Sequence, residues 1–311
     1  MATTEAMFEQ ADRALDRMTR AAKRQLLTAY RQSYNAVRQQ IAELYERYSV
    51  NGKLTYGQMS KYNRLVKLEA EIGRELGRLG VKTRSILRAQ LGDLFSESYE
   101  RTLYAVEMGA RAAGSAAIQF GMLNPTLIER SIMNPISGLT LNDRLTAHRQ
   151  QIVWKVKQSI TQGLIKGEGY VDMARRLRET FLGDAVKATR VVQTEAHRVQ
   201  NEARALAGEE AGEAGVLLKK RWVATLDDRT RDTHQSLDGQ TVERDGEFTS
   251  PTGATAPYPG AFGVAAEDVN CRCSHIYVVE GLEPKLRRVR GEGIVEYQTY
   301  RDWEKAREGK K

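Results

Sequence analysis

The sequence predicts a mainly α-helical protein that ends in a small α+β module. Up to about residue 207, long stretches contain few prolines, and their apolar residues recur at steps of three and four, the period of an amphipathic helix. Beyond Gly208 the pattern changes to short alternating runs separated by glycines and prolines. We therefore expect a long N-terminal helical hairpin, then a helical cluster, then a short-stranded, loop-rich domain.

The first expected helix covers residues 6–48. This stretch contains neither proline nor glycine, and its apolar residues follow the helical period, so one face is suited to packing. The dipeptide Asn51-Gly52 then predicts the turn that ends the helix, because both residue types accept turn conformations.

A second long helical run follows this turn. Thr55 and Gln58 have the spacing of a capping box, in which two side chains bind the free N–H groups at a helix start. The apolar period continues to about Gly109, with an interruption or bend expected near Gly80. Because only a short turn separates the two runs, we expect them to pack as an antiparallel hairpin.

The middle of the chain predicts a hinge and a helical cluster. Two Asn-Pro dipeptides lie within residues 116–138, and each proline disfavours helix in the residue before it. Thr140 and Asp143 then predict a capped helix start, and Gly167 is a candidate C-cap. We expect two further helices after it, a short one and another that starts near Ala185.

The C-terminal part predicts a strand, a short helix stopped by Asp238-Gly239, and a long irregular loop at residues 245–268 that holds three of the six prolines. After this module we expect a charged segment that is mobile or docked at the periphery. The predicted division is a docking region at 1–115, a hinge at 116–138, a module at 139–280, and a polar, charged tail at 281–311. Within the module, 139–207 is helical and 208–280 is α+β.

Charge is distributed unevenly along the chain. The net charge is +8, residues 1–200 hold 31 Lys and Arg against 20 Asp and Glu, and residues 201–270 hold 7 against 13. A basic first part favours an anionic partner, with nucleic acid as the obvious candidate, although a solvated basic helix face explains the same pattern. The N-terminus lacks the features of a signal peptide, and no apolar run is long enough to span a bilayer, so we expect no membrane partner.

Both cysteines and two of the four histidines lie in two short segments of the last third of the chain. If the strand that ends in Ile-Tyr-Val-Val starts at Cys271, then Cys271, Cys273 and His275 project from one face. His234 is the natural fourth member of the centre. Two thiols and two imidazoles suit structural zinc. Ordinary packing and hydrogen bonding of these side chains is the alternative.

The same centre allows a catalytic hypothesis. A metal-dependent nuclease or hydrolase would use Glu267 or Asp268 as its base, and a thiol beside an imidazole could act as a nucleophile. However, the motifs of zinc deaminases and of zinc proteases are both absent from the sequence. We therefore expect a non-enzymatic protein. A stand-alone DNA-binding protein that uses residues 1–200 is a further alternative.

Glu195 is a candidate link between the helical and the stranded parts. It lies in the middle of a predicted helix beside Arg190 and Arg198. A buried carboxylate held by arginines of the C-terminal module would join helix to sheet. Ordinary pairing between residues three apart on the helix is the simpler interpretation.

Several motifs taken together resemble the phage Mu F-like head-morphogenesis family, the minor capsid proteins of tailed phages. The resemblance covers about residues 135–280. It rests on Thr-Glu at 194–195, Arg-Thr-Arg-x-x-His at 229–234, Asp-Gly at 238–239 and Asn-Cys-Arg-Cys at 270–273, in this order. The matching residues expected to organise the module are Glu195, Trp222, Arg229, Arg231, Asp238, Gly239, Asn270 and Arg272.

The resemblance implies a structural role in procapsid assembly. The expected partners are the portal protein and other head proteins, with packaged DNA as a further partner, and the expected locations are the host cytoplasm during assembly and the virion afterwards. In relatives, cysteines can replace Arg231 and His234, which is similar to a zinc-ribbon layout. The resemblance therefore implies that His234 meets the Cys271 and Cys273 pair in space.

Overall fold

The computed structural model describes residues 4–115, 118–136, 138–289 and 293–308. Residues 116–117 and 137 of the expected hinge, and 290–292 and 309–311 of the expected tail, lie outside the described residues. The helices are α1 Thr4–Tyr48, α2 Tyr56–Ser60, α3 Arg64–Ala112, α4 Pro125–Met133, α5 Leu141–Lys166, α6 Tyr170–Glu213, α7 Asp232–Leu237, α8 Ala265–Asp268 and α9 Tyr300–Glu308. The strands are β1 Leu218–Val223, β2 Thr241–Glu243, β3 Phe248–Thr249, β4 Thr255–Ala256, β5 Ser274–Val279, β6 Leu286–Val289 and β7 Gly293–Glu296. The mainly α class with a small α+β module is confirmed.

The local signals for helix ends are confirmed. Thr55 accepts from the backbone N–H of Gln58, and the Gln58 side chain accepts from the backbone of Thr55, so both halves of the capping box form. Thr140 and Asp143 form the same arrangement at the start of α5. Gly167 ends α5 in the left-handed conformation, with φ of 62°. These devices depend only on residues a few positions apart.

Two expected helix interruptions are absent from the described residues. Helix α3 continues through Gly80, where the missing side chain lets α5 approach closely: a Cβ there would lie 2.8 Å from Cδ of Arg149. Helix α6 is a single element of 44 residues, although two separate helices were expected in its place. A lone glycine costs a helix only about 1 kcal/mol. The packing of the apolar helix face before and after the glycine outweighs the cost of the glycine.

The described chain forms two compact units, each assembled from separated stretches. Unit 1 comprises residues 1–19, 90–139 and 193–311, and unit 2 comprises residues 20–89 and 140–192. This division differs from the linear one expected from the sequence, because α1, α3 and α6 each contribute to both units. In unit 2, Tyr30 donates to Asp184 at 3.1 Å, an example of a buried link between α1 and α6.

The main sheet of unit 1 has three antiparallel strands in the order β2-β1-β5. In its centre, Trp222 pairs with His275 and Lys220 pairs with Tyr277. Strand β5 starts at Ser274, so the expectation of a strand that starts at Cys271 is wrong. The two cysteines lie in an irregular segment between α8 and β5, where Asn270 adopts φ of 58° and turns the chain.

The expected polar tail contains regular structure. Strands β6 and β7 pair as a hairpin, and α9 follows them. A second apolar cluster of Leu226, Val289, Tyr300 and Trp303 fastens this segment to the rest of unit 1. Trp303 of α9 is only 6% exposed. The segment is therefore docked.

Among the described residues, no helix combines the length and the apolar character that a bilayer crossing requires.

Gly208 of α6 is expected to be intolerant of a side chain. A Cβ at this position would lie 1.9 Å from Cζ of the buried Tyr277 ring. Gly208→Ala should therefore lower the free energy of unfolding by about 1–3 kcal/mol through overpacking. Gly183 of the same helix has open space around its Cα, so Gly183→Ala should raise the free energy of unfolding by about 0.5–1 kcal/mol. Chemical denaturation of both variants checks the contrast, and equal effects would contradict it.

Candidate metal centre

The structure brings His234 together with Cys271 and Cys273. Helix α7 carries His234, and the irregular segment before β5 carries both cysteines. The Nδ1 atom of His234 lies 3.5 Å from Sγ of Cys271 and 3.4 Å from Sγ of Cys273. The three side chains are about 1% exposed, and the cysteines are not joined by a disulfide.

Glu267 holds the other edge of the His234 ring. Its Oε2 atom lies 2.9 Å from Nε2 of His234. Three hydroxyl groups donate to the same carboxylate, from Thr233 at 3.0 Å, Ser250 at 3.2 Å and Thr252 at 3.2 Å. The carboxylate therefore sets the orientation of the ring and leaves Nδ1 directed at the thiols. A carboxylate that binds the far nitrogen in this way is the usual support of a metal-ligating histidine.

Aromatic side chains enclose the centre. The ring centroid of Trp222 lies 5.6 Å from that of His234 and 5.2 Å from that of Phe248. The Phe262 ring lies 6.1 Å from His234 on a further side. These residues and both cysteines belong to one buried cluster. The centre is thus part of an apolar core, and solvent does not reach its sulfur atoms.

Burial controls the ionisation of these groups. Burial raises the pKa of the Cys273 thiol well above its usual value. Burial lowers the pKa of His234, whereas its contact with Cys273 and the Glu267 carboxylate raise it, and the net pKa is raised. Burial raises the pKa of Glu267, whereas the Thr233 hydroxyl and the His234 charge lower it, and the net pKa is lowered. A buried thiol with a raised pKa is a poor nucleophile.

His275, a candidate member of the centre, lies outside the group of three. Its Nδ1 atom is 3.3 Å from Oδ1 of Asn201, and its ring packs against Tyr258 and Tyr277. Burial lowers the pKa of His275 well below its usual value. His275 does not join the cysteines because it lies within β5, paired with Trp222 of β1, where Asn201 of α6 binds its ring.

The matching motif residues mostly hold loops around the centre. Arg231 donates to the backbone oxygens of Glu267 and Val269, and Arg272 forms a two-contact ion pair with Asp227. Gly239, with φ of 79°, donates its N–H to the carbonyl oxygen of Trp222 at 3.0 Å. Arg229 is exposed, and its backbone N–H donates to Asp227.

Asp238 is the anchor of the segment that follows the module. Its carboxylate accepts from Nη1 and Nη2 of Arg287 at 2.6 and 2.7 Å, from the N–H of Ala224 at 2.7 Å and from the N–H of Tyr300 at 2.7 Å. Asp238 and Arg287 have side chains that are 1% and 2% exposed. Sequence reasoning selected Asp238 and missed Arg287, because nothing in the charged C-terminal stretch distinguishes one arginine from its neighbours.

Glu195 is fully buried in α6. Arg198 donates to it at 3.2 Å and also donates to the carbonyl oxygen of Ser131 at 2.6 Å. At the preceding residue of α6, the Thr194 hydroxyl accepts from the backbone N–H of Asn270 at 3.2 Å. The helix is therefore joined to the cysteine segment through Thr194, next to Glu195.

Three side chains in this centre could hold a metal ion. The ligand atoms of His234, Cys271 and Cys273 lie within 4.8 Å of one another, and no fourth His, Cys, Asp or Glu joins them in the part of the chain that is described. Two sulfurs and one imidazole nitrogen are the donor types that zinc prefers, and the Glu267 contact supplies the expected support. Closed structural zinc sites have four ligands, so these residues provide three of the four.

Comparisons with known proteins give a consistent result. Residues 154–276 match the family model described as phage Mu protein F like protein. The chain is 33% identical over 301 residues to minor head protein GP7 of Bacillus phage SPP1, with 96% of each chain covered. It is 32% identical over 277 residues to a protein of Enterococcus faecalis named NAD(+)--arginine ADP-ribosyltransferase EFV, covering 88% of this chain and 56% of that protein. No solved structure is significantly similar.

Proposed function

Because this chain belongs to the family of phage Mu protein F like proteins and has a structural role in phage head morphogenesis, we propose that it associates with the portal protein during assembly and becomes part of the virion. The similarity to a minor head protein along 96% of both chains carries this proposal. Long helices support it as well, because α1 and α3 offer extended surfaces for protein partners.

A non-enzymatic role is part of the proposal. The transferase activity in the name of the Enterococcus faecalis relative belongs to a protein of which this chain covers 56%. Glu267 of the centre and the neighbouring Asp268 are 4% and 3% exposed, and the Glu267 carboxylate is occupied by His234 and three hydroxyl groups. Neither carboxylate is accessible as the base of a hydrolase. A structural use of the centre fits this burial better.

Co-expression with the portal protein of the same phage tests the proposal. The full chain should elute with portal assemblies in size-exclusion chromatography and should be found in procapsids that contain the portal. Procapsids assembled without the portal should lack it. A chain that enters both kinds of procapsid equally, and that elutes apart from the portal, would refute the association.

DNA contact is a second candidate, which the charge of unit 2 favours. Residues 20–89 and 140–192 hold 25 Lys and Arg against 10 Asp and Glu, a net charge of +15, and the rest of the chain holds 23 against 30, a net charge of −7. Exposed Arg24, Arg31 and Arg38 recur every seven residues along α1, and residues 17–42 contain no acidic residue. Such a row suits the phosphates of a duplex.

A salt titration tests DNA contact. Affinity of the full chain for a DNA duplex should fall with salt, with a slope in log K of about 0.9 for each phosphate contacted. Arg31→Glu should weaken binding and reduce this slope. The matched control is Arg301→Glu, a reversal at another exposed arginine, which lies in the net-negative unit 1. Binding that both variants weaken equally, or that does not depend on salt, would exclude this surface.

We propose that His234, Cys271 and Cys273 bind a structural zinc ion. One zinc per chain is expected by mass spectrometry of the purified protein, and His234→Ala should abolish it. Chelation should lower the melting temperature of the wild-type chain and leave that of the variant unchanged. His148→Gln is the control, because His148 binds Asp184 in unit 2. A metal-free chain with an unchanged melting temperature after zinc addition would favour the hydrogen-bonded cluster alone.

A further inference from the structure

Two connections in unit 2 expose large apolar side chains. Six of them, each between 45% and 79% exposed, lie in the connection between α1 and α3 or in the helix ends next to it and next to the turn between α5 and α6. Scattered exposed apolar residues are normal, but a concentration of them is typical of interaction sites. We call these six residues the turn surface: Val50, Tyr56, Tyr62, Val66, Ile165 and Val171.

Backbone contacts join the two connections. Lys53 and Gly169 form an antiparallel bridge, and Lys53 pairs in turn with Val50. Tyr45 donates its hydroxyl to the carbonyl oxygen of Glu168 at 2.7 Å, and its ring packs against the ring of Tyr170. The apolar residues of the turn surface are therefore presented by one connected piece of structure within unit 2.

The conformation of this surface is held against local strain. Tyr62 and Asn63 both have φ of 55°, and a bulky residue such as tyrosine rarely adopts this left-handed region. The Arg64 guanidinium lies 3.8 Å from the ring centroid of Tyr48 and 5.1 Å from that of Tyr62, and it donates to the carbonyl oxygen of Gln58 at 3.0 Å. Strain that the surrounding structure maintains is concentrated at binding sites. In this conformation Tyr62 is 79% exposed.

The surface is basic as well as apolar. Residues 49–67 contain Lys53, Lys61, Arg64 and Lys67, and no Asp or Glu. The acidic groups beside the second turn are paired, since Glu168 binds Arg176 and Asp172 lies 3.1 Å from Arg175. The charge of the α1–α3 connection is therefore positive, while exposed Glu46 and Glu71 lie beyond its two ends and Glu69 lies 3.3 Å from Lys157. A partner must present carboxylates around an apolar contact area to match it.

We propose that the turn surface docks on an acidic protein surface of the portal assembly, with Tyr62 and Ile165 as its apolar anchors. This inference rests on the portal association proposed above. Tyrosine and arginine are the residues that most often dominate the energy of protein interfaces. DNA is a poorer match for this surface, because the aliphatic Val50, Val66, Ile165 and Val171 offer nothing to phosphates.

Affinity measurements on the full chain test the proposal, with the purified portal protein of the same phage as the probe. Tyr62→Ala and, on the second turn, Ile165→Ala should each raise Kd by about tenfold or more, and Lys61→Glu should weaken binding most at low salt. The matched controls are Leu182→Ala and Val186→Ala, which remove side chains of α6 that are 54% and 58% exposed in the same unit. Circular dichroism melting verifies that each variant is folded.

The outcomes separate this inference from the proposed function. Portal binding by the wild-type chain, together with weakening by Tyr62→Ala and Ile165→Ala and not by the controls, supports both. If neither turn variant changes the Kd for the portal by more than about twofold, the docking role of the turn surface is refuted, and the portal association is not. A wild-type chain that does not bind the portal overturns both. Loss of self-association or of DNA binding in the variants, with portal binding intact, assigns the surface to a second copy or to nucleic acid and overturns the inference.

Discussion

Asp238→Ala is expected to lower the free energy of unfolding of unit 1 by about 3–5 kcal/mol, because it leaves a buried guanidinium without its counter-ion. Arg287 is 2% exposed and contacts both carboxylate oxygens of Asp238. The same carboxylate accepts the backbone N–H groups of Ala224 and Tyr300. One substitution thus removes the ion pair and leaves two backbone donors unsatisfied.

Denaturant unfolding monitored by circular dichroism measures the effect. The control is Arg307→Ala, which removes a pair with Asp228 whose side chains are 47% and 78% exposed. Exposed pairs contribute about 0–1 kcal/mol, so this variant should be close to wild type. If both variants lose the same stability, the Asp238 pair is not the anchor of the C-terminal segment.

Trp222→Ala is expected to cost about 3–5 kcal/mol of unfolding free energy, because it leaves a cavity in the core of unit 1. Trp222 is fully buried, and its ring contacts His234, Phe248 and Phe262. The substitution should also loosen the His234 ring. In a zinc-loaded chain, faster release of zinc to a chelator would accompany the loss of stability.

Trp154 provides a matched control, since it is the same residue type at 60% exposure in unit 2. Trp154→Ala should change the unfolding free energy by about 0.5 kcal/mol or less. Faster zinc release should be confined to Trp222→Ala. A Trp222→Ala chain as stable as Trp154→Ala would mean that the aromatic cluster does not hold the module together.

Much of the helical architecture could be predicted, and the failures have a common cause. The capping boxes at Thr55 and Thr140 and the C-cap at Gly167 involve residues a few positions apart, so sequence spacing suffices to find them. The interruption expected near Gly80 is wrong, because α3 continues through this glycine and Arg149 of α5 packs closely against it. A cost set by one residue is small compared with the apolar burial of a whole helix face.

The residues of the metal centre could be predicted from the clustering of cysteine and histidine in the sequence, but their arrangement in space could not. His275 was grouped with the cysteines on the assumption that one strand carried all three, whereas the strand starts at Ser274 and Asn201 binds the His275 ring. Glu267 was considered only as a base. Its contact with Nε2 of His234 depends on the path of the loop that brings Ser250 and Thr252 to the same carboxylate.

The sequence by itself determined the helical period, the helix ends at Thr55, Thr140 and Gly167, the change to short strands after Gly208 and the family. Each of these features follows from the types of residues within short segments of the sequence. Only the tertiary structure decided which charged residues form ion pairs and which unit carries the positive net charge. The partners Asp238 and Arg287 are 49 residues apart, Asp12 and Arg204 are 192 apart, and the +15 net charge of unit 2 comes from two stretches that are not adjacent in the chain. Burial of an ionic group depends on the packing of distant segments, and no local pattern encodes it.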